Sequence, residues 1–224
     1  MSSYGIETRG LTRAYQTYRK PEGLLGSLKG FFAREYVSKV ALQPTDLAIE
    51  GGQIIGLVGA NGAGKTTLLK LLCGLIEPSG GEARVLGFNP AERKSDYLRQ
   101  VSILLGQKNQ LWWDIPAADS FELLSRIYDL DRADAKKRVG ELAEMLQCTD
   151  LLNTQLRRLS LGERMKMEII GSLLHRPKVL FLDEPTIGLD IVAQTTIREF
   201  MDDYVKRENP TIILTSHYMD DISR

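Results

Sequence analysis

Short apolar runs along the chain alternate with longer segments in which apolar residues recur every three or four positions. The short runs are rich in β-branched residues and are bounded by glycine, proline or charged residues. Such runs are typical of parallel strands buried on both faces, whereas the longer spacing predicts amphipathic helices. The runs that predict strands are residues 54–58, 101–106, 179–182 and 211–214. This alternation favours an α/β fold.

The helical patterns are concentrated between residues 107 and 175. The segments DSFELLSRIYDL and DAKKRVGELAEMLQ both space apolar residues by three and four. One stripe consists of Val139, Leu142, Ala143 and Leu146. Its spacing favours packing in the core over a partner site. We therefore predict an α/β core of residues 1–106 and 176–224 with an antiparallel N-terminal portion, and an inserted α-helical subdomain of residues 107–175.

Composition restricts the classes of function. The 224 residues carry 29 basic and 29 acidic side chains, so net charge gives no indication of a nucleic-acid partner. The N-terminus lacks the build of a secretory signal, and no apolar run approaches the ~18 residues that a membrane span needs. The two cysteines, Cys73 and Cys148, lie in apolar surroundings and are expected to be buried free thiols. Any contact with a membrane would therefore go through another polypeptide.

The most informative segment follows the strand predicted at residues 54–58. It contains the pattern Gly59-x-x-x-x-Gly64-Lys65-Thr66, and a leucine-rich helical pattern comes next. In this context the glycines let backbone N–H groups converge on phosphate oxygens at a helix start. Lys65 is expected to contact the β and γ phosphates, and the Thr66 hydroxyl to bind Mg²⁺. The predicted nucleotide contacts are Gly59, Asn61, Gly62, Ala63, Gly64, Lys65, Thr66 and Thr67.

Two carboxylates follow the strand predicted at residues 179–182. Asp183 ends this strand at the sheet edge where a phosphate loop lies, and is expected to hold the metal directly or through water. Glu184 can orient and deprotonate the attacking water. A strand ending in Asp-Glu can also be a solvated turn. Together with the phosphate loop, however, the pair indicates a Mg²⁺-dependent nucleoside triphosphatase.

A second helix start suited to an anion lies in the segment RLSLGERMKMEII. Ser160 is a favourable N-cap, and Glu163 stands three residues on as in a capping box. Gly162 leaves the backbone open to close approach. An ordinary helix needs the cap but not the glycine. The alternative to a phosphate-binding role is a plain capped helix.

The segment LSLGERMKME resembles the signature motif of ATP-binding cassette (ABC) ATPases, usually written Leu-Ser-Gly-Gly-Gln. Ser160 and Gly162 match that motif. Leu161 replaces its first glycine, and Glu163 replaces its glutamine. Other motifs of the family occur here in the same order along the chain: Tyr15 in LTRAY, Gln107 after VSILLG, Asp190 ending IGLD, and His217 in TIILTSHYMDD. The resemblance spans almost the whole chain and implies a P-loop NTPase core of the RecA-like type.

The resemblance also implies roles for these residues. Tyr15 would stack on adenine, although an aromatic residue near a strand end is also common in a core. Two cassettes of this family pair head to tail, so Ser160 and the Gly162 N–H would contact the partner's ATP, with Glu163 turned outward. The implied cofactors are ATP and Mg²⁺. The implied catalytic residues are Lys65, Gln107, Glu184 and His217; the implied metal ligands are Thr66, Gln107 and Asp183; and Asp190 belongs to the D-loop. His175 is expected at a helix C-terminus.

Residues 18–38 form an insertion between Tyr15 and the strand that leads to the phosphate loop. Its apolar residues fall on one helical face: Leu24, Leu25, Leu28, Phe31 and Phe32. The insertion is either an amphipathic helix at the membrane surface or against a permease, or a helix packed on the protein's own core. Similar insertions occur in ABC cassettes that export polysaccharides and other amphiphiles.

Trp112 and Trp113 are adjacent, so in a strand or a helix they cannot both point inward. In ABC transporters the cleft beside the glutamine loop receives a coupling helix from the membrane subunit. Neighbouring tryptophans suit such a socket, because they are large anchors of low conformational entropy. The alternative is one core tryptophan and one that shields a loop.

The resemblance implies the ATPase subunit of an ABC transporter. Such a subunit works with a separate transmembrane permease, lies at the cytoplasmic face of the membrane through that permease, and pairs with a second cassette, here expected to be identical. The pattern is similar to that of ABC-2-type exporters, so we expect export. The alternative is a non-transport ABC ATPase of translation or chromosome maintenance. The chain stops seven residues after His217, where the family usually continues, so we expect either a truncated or a naturally short protein.

Overall fold

The computed structural model describes residues 4–18, 36–106 and 110–216. The strands are β1 (Tyr4–Tyr18), β2 (Tyr36–Glu50), β3 (Ile54–Val58), β4 (Gly80–Val85), β5 (Val101–Leu105), β6 (Val179–Asp183) and β7 (Thr211–Ser216). The helices are α1 (Lys65–Leu72), α2 (Ser95–Leu98), α3 (Ala117–Ile127), α4 (Arg132–Met145), α5 (Leu161–Leu173) and α6 (Ile191–Glu208). Short 3-10 turns lie at Pro90–Glu92, Thr149–Leu151 and Leu156–Arg158.

The four apolar runs predicted as strands form one parallel sheet in the order β3-β7-β6-β5. The strand bounds agree with the sequence pattern to within two residues, because each run ends where glycine or a polar side chain begins. Parallel strands end at the same edge of a sheet, so the carboxyl ends of β3, β6 and β7 lie together there. This edge carries the candidate site.

An antiparallel sheet of order β2-β1-β4 lies in the N-terminal part of the chain, as predicted. Strands β1 and β2 form a long pair whose last paired residues are Tyr18 and Tyr36. The predicted insertion of residues 18–38 is therefore shorter than expected, because both of its ends belong to paired strands. The helix predicted within it, whose apolar face runs from Leu24 to Phe32, lies outside the described residues.

Side chains of the parallel sheet alternate between two apolar clusters. In β6, Val179 and Phe181 pack with α1 and the antiparallel sheet, whereas Leu180 and Leu182 pack on the opposite face. The opposite cluster includes buried residues of α3, α4, α5 and α6. The helical segment thus shares a core with the sheet and does not close a core of its own. The division into a core and a helical subdomain stays a prediction.

The predicted stripe on α4 faces this shared core. Leu142, Ala143 and Leu146 are fully buried, and Val139 packs against the same cluster. The prediction of core packing over a partner site is therefore confirmed. Among the described residues, no helix is long and apolar enough to cross a membrane.

The two cysteines are buried free thiols, as predicted. Burial raises the pKa of Cys73 to about 11. It raises the pKa of Cys148 to about 11 as well. Both groups therefore stay protonated at neutral pH, and they act as small apolar side chains in the core.

Candidate nucleotide-binding site

The phosphate loop connects β3 to α1 at the carboxyl edge of the parallel sheet. Gly62 and Gly64 have φ angles of 83° and 94°, a region that favours glycine. Gly64 also needs to lack a side chain, because a Cβ there would lie 2.7 Å from the backbone oxygen of Ala41. Helix α1 begins at Lys65 with Gly64 as N-cap and no side-chain cap hydrogen bond. Its start is therefore not occupied by a side chain of the loop, and an anion can approach the first-turn N–H groups.

Lys65 folds back over the loop. Its Nζ donates to the backbone oxygens of Gly59, at 2.5 Å, and Ala60, at 3.2 Å. These contacts hold the ammonium group at the loop where the sequence predicts the phosphates. A short extension of the flexible side chain would move it from the carbonyl oxygens to a bound phosphate.

Two of the three predicted metal ligands, Thr66 and Asp183, are in direct contact. The Thr66 hydroxyl donates to both carboxylate oxygens of Asp183, at 2.8 and 2.9 Å. Thr66 lies in the first turn of α1 and Asp183 ends β6, so the fold brings together residues 117 positions apart. Both groups are hard oxygen donors of the kind that Mg²⁺ prefers. The residues present therefore fit a magnesium ion, for which Asp183 would supply the negative charge.

Thr215 is a further site residue, which the sequence analysis missed. Its side chain is fully buried. Its hydroxyl donates to Asp183 Oδ1 at 2.8 Å and accepts from the Glu184 N–H at 3.0 Å. Thr215 thus fixes both carboxylate-bearing residues from the neighbouring strand. The only signal in the sequence is a polar residue at the end of the apolar run in β7.

Glu184 has a φ of 55°, an uncommon conformation for a residue other than glycine. The hydrogen bond from its N–H to Thr215 holds the backbone in this conformation. Backbone strain of this kind is concentrated at functional sites, and here it lies at the residue predicted to act as the base.

The second helix start is confirmed as a complete capping box. The Ser160 hydroxyl accepts from the Glu163 N–H at 3.3 Å, and the Glu163 carboxylate accepts from the Ser160 N–H at 2.8 Å. Gly162 is buried, and a Cβ there would lie 2.7 Å from the Cβ of Ala193 in α6. The glycine is therefore required by the packing of α5 on α6. Asp190 caps α6 by accepting from the Ala193 N–H at 2.9 Å, so the predicted signature and D-loop residues lie side by side.

The sequence profile described as ABC transporter matches residues 42–187, more than half of the chain. The chain belongs to the ABC transporter family. The prediction of an ATP-binding, ATP-hydrolysing cassette is confirmed by this match, and the transporter interpretation is favoured over the non-transport alternative.

Two relatives are similar to this cassette over most of its length. The ABC transporter ATP-binding protein NatA of Bacillus subtilis is 35% identical over 81% of this chain and 74% of its own. The Nod factor export ATP-binding protein I of Cupriavidus pinatubonensis is 34% identical over 85% of this chain and 58% of its own. The cassette thus spans between half and three quarters of these relatives.

The fold is also similar to that of a solved cassette. The structure of cbiO1 from Clostridium perfringens, described as part of the ABC transporter complex cbiONQ, has a TM-score of 0.77 and 23% identity. The similarity covers 99% of this chain and 81% of that one. The predicted fold class, a P-loop NTPase with parallel and antiparallel sheets, is confirmed.

The tryptophan pair lies on the surface of the cassette. Trp112 and Trp113 are 43% and 42% exposed, so the alternative in which one of them belongs to the core is wrong. The ring of Trp113 lies under the guanidinium group of Arg164, at 4.6 Å from the ring centroid. As predicted, the two rings do not both point inward, and neither of them is buried.

Tyr15 lies on β1 and is 39% exposed. The guanidinium group of Arg13 lies 4.6 Å from its ring centroid. The alternative of a core aromatic is therefore wrong, and the side chain is accessible to a ligand. Two of the four predicted catalytic residues, Gln107 and His217, lie outside the described residues.

His175 follows α5, as predicted for a residue at a helix C-terminus, and takes no part in the site. Its ring stacks on Tyr128 at 4.0 Å between centroids, and its Nε2 lies 3.1 Å from the Val101 oxygen. Burial lowers the pKa of His175 below its ordinary value. The neutral ring therefore acts as a packing residue.

Proposed function

We propose that this chain is the ATP-hydrolysing subunit of an ABC exporter and that Glu184 is its general base. The observation that carries the proposal is the cluster formed by Thr66, Asp183 and Thr215, with Glu184 beside it. Phosphoryl transfer needs a metal site, a lysine for the phosphates and a base for water, placed together at a helix start. The described residues supply these parts at one edge of the sheet.

In the proposed reaction Thr66 and Asp183 would hold Mg²⁺, together with Gln107, which the family resemblance implies as a third ligand. When bound, Mg²⁺ would supply positive charge that offsets the negative charge of the phosphates. Lys65 leaves the loop carbonyls and donates to the same phosphates, while the first-turn N–H groups of α1 bind them through the backbone. Glu184 accepts a proton from the attacking water. Thr215 keeps Asp183 and Glu184 in their relative positions.

A second copy of the chain is the proposed partner for the signature helix. The surface around Gly162 and Asp190 carries exposed apolar side chains, a composition typical of an interface core. These residues are Leu161, Ile187, Ile191 and Val192, with Ile191 81% exposed. A two-fold pairing would cover them and place Ser160 against the partner's ATP, as the family resemblance implies. The capping box, which is exposed in the single chain, would then lie at the composite site.

The proposed membrane partner is a separate permease, with the cassette held at the cytoplasmic face of the membrane. The exposed Trp112 and Trp113 offer the apolar anchors that a coupling helix needs. The balanced charge of the chain supports a protein partner over a nucleic acid. Export is supported by the similarity to a relative named for Nod factor export.

The test is affinity purification of the Glu184→Gln variant from detergent-solubilised host membranes with Mg-ATP, followed by mass spectrometry. This variant should bind ATP but not hydrolyse it. The cassette should therefore stay bound to its partners during purification. We expect a multi-span membrane protein in stoichiometric amount, together with a second copy of the cassette.

The control is a variant with Trp112→Ala and Trp113→Ala in the same background. It should still pair with a second cassette but lose the membrane protein. Recovery of ribosomal proteins or DNA in place of a membrane protein would contradict the transporter proposal. Hydrolysis by Glu184→Gln at the wild-type rate would show that Glu184 is not the base.

A further inference from the structure

One face of helix α5 holds the segment that carries the two tryptophans. We call residues 110–113 the tryptophan segment. Three positions on α5 contact it: Arg164, Glu168 and Gly171. Their spacing, i, i+4 and i+7, places them on a single stripe of the helix. The tryptophan segment therefore lies along the same helix whose N-terminus carries the signature residues.

The central contact is a buried carboxylate. Glu168 is only 5% exposed. Its two oxygens each accept from the Gln110 N–H at 3.1 Å, and one of them lies 3.4 Å from the Leu111 N–H. Burying an ionised carboxylate is costly unless hydrogen bonds compensate, so an ordinary packing position would take an apolar residue. The acceptor role explains why a glutamate stands here.

The contacts above and below Glu168 fix the same segment. The Arg164 guanidinium lies over the Trp113 ring, a cation–π contact. Gly171 leaves room for the Leu111 side chain, since a Cβ on Gly171 would lie 3.0 Å from Leu111 Cδ2. The tryptophan segment is thus attached to α5 by charge, by its backbone and by packing.

A second attachment joins the segment to the turn before α5. The Arg157 N–H donates to the Trp113 oxygen at 3.1 Å, and the Arg157 side chain pairs with Asp114. These bonds do not involve Glu168. Loss of Glu168 would therefore leave the segment tied to that turn and remove the hydrogen bonds that join its backbone to α5.

We propose that Glu168 is a positioning residue that couples the tryptophan segment to the signature helix. Glu168 lies about 12 Å along the helix from Ser160, at a rise of ~1.5 Å per residue. Because a helix of this length moves as a rigid element, a shift of the segment moves Ser160, and closure around ATP moves the tryptophans. The inference rests on the proposed function, in which a permease occupies the tryptophan pair and a partner's ATP faces Ser160.

The test compares Glu168→Gln and Glu168→Met with the wild-type protein. Glutamine keeps one acceptor oxygen for the backbone, and methionine keeps none. We expect stimulation of ATPase activity by the permease to fall on the order of tenfold in Glu168→Met and less in Glu168→Gln, in the range of coupling energies between sites. The ATPase activity of the isolated cassette should stay within about twofold of wild type, since no group at the reacting atoms changes.

Measurements of the unfolding temperature distinguish a positioning role of Glu168 from a role in packing alone. Burial raises the pKa of Glu168, while the N–H groups of Gln110 and Leu111 and the charge of Arg164 oppose that rise. The ionised form therefore costs stability at neutral pH, and Glu168→Gln should unfold at the wild-type temperature or above it. A role confined to stability would instead lower the unfolding temperature and leave the stimulation ratio unchanged.

The matched control is Arg138→Met. Arg138 is similarly buried and donates to Glu208 and to the Tyr204 hydroxyl, both at 2.9 Å, away from the tryptophan segment. We expect a lower unfolding temperature and an unchanged stimulation ratio. The same loss of stimulation in Arg138→Met would overturn the assignment to Glu168.

Tryptophan fluorescence tests the coupling without a permease. Trp112 and Trp113 are the only tryptophans of the chain, so the emission reports on this segment alone. Mg-ATP should shift the emission of the wild type and of Arg138→Met, and the shift should be lost in Glu168→Met. An equal shift in Glu168→Met, or no shift in the wild type, would contradict the coupling through Glu168. Because no permease is needed, this outcome does not depend on whether the chain works in a transporter.

Discussion

The two helix starts of the proposed ATP site differ in what occupies them. Helix α1 begins after a left-handed glycine and has no side-chain cap. Helix α5 begins with a complete capping box, in which Ser160 and Glu163 satisfy each other's N–H groups. Both starts share the same partial positive charge. The comparison shows that one start is kept open for an anion, whereas the other already holds an anionic side chain of its own.

The glycines at the two starts also act differently. Gly64 combines a positive φ with a close approach to the backbone of β2. Gly162 makes a close helix contact with Ala193. The first glycine therefore shapes a loop for phosphates, and the second lets two helices meet. Three variants test whether the two helix starts also differ in their contribution to ATP binding and turnover. The first variant changes the start of α1.

Lys65→Ala should have the largest effect. The substitution removes the positively charged group that the structure places over the phosphate loop. A charged hydrogen bond to a phosphate contributes about 1.5–3 kcal/mol, so ATP affinity should fall on the order of 100-fold. Isothermal titration calorimetry measures this directly. Lys70→Ala, in the last turn of the same helix, is the control and should bind ATP normally; wild-type affinity in Lys65→Ala would remove the phosphate-loop assignment.

Ser160→Arg should leave ATP binding by the single cassette unchanged and greatly reduce turnover. The substitution places a long side chain at the capped start, which the proposal sets against the partner's nucleotide. Loss of the cap should also cost about 1 kcal/mol of stability. Steady-state kinetics and nucleotide titration on the same preparation distinguish the two effects. Ser160→Thr keeps the hydroxyl and should remain active, whereas full activity in Ser160→Arg would rule out a composite site.

Glu163→Gln should have the smallest effect. Glutamine still completes a capping box, but the negative charge at the helix start is lost. We expect stability to fall by about 0.3–1 kcal/mol at low salt, with a smaller difference at high salt. Because a carboxylate near a triphosphate is repulsive, the KM for ATP should decrease. An increased KM would indicate that Glu163 assists ATP binding and does not merely cap the helix.

The residues of the phosphate loop are easier to predict from the sequence than the residues that surround the loop in the fold. The phosphate loop, the strand before it and Asp183 are all recognisable because each follows or precedes a run of apolar residues. Thr215 is not recognisable in this way. Its role follows from the position of β7 between β3 and β6, and the order of parallel strands is set by packing of the whole sheet.

Glu168 escaped prediction for a related reason. A charged residue within a helical pattern normally indicates an exposed face, and its partner Gln110 lies 58 positions earlier in the chain. The two tryptophans also show what the sequence leaves undecided. Adjacency excludes that both rings are buried, but only the tertiary packing decides that neither is.

The central position of β7 also affects the order in which the nucleotide site can be completed during synthesis. Strand β3 reaches the rest of the parallel sheet through β7, and Gly52 just before it hydrogen-bonds to Thr211, 159 positions later. Translation proceeds at roughly 5–20 residues per second, so a nascent chain exposes the edge of β3 for many seconds before its neighbour emerges. An unpaired apolar strand is a site for aggregation. We therefore expect nascent cassettes to depend on chaperones until β7 has left the ribosome.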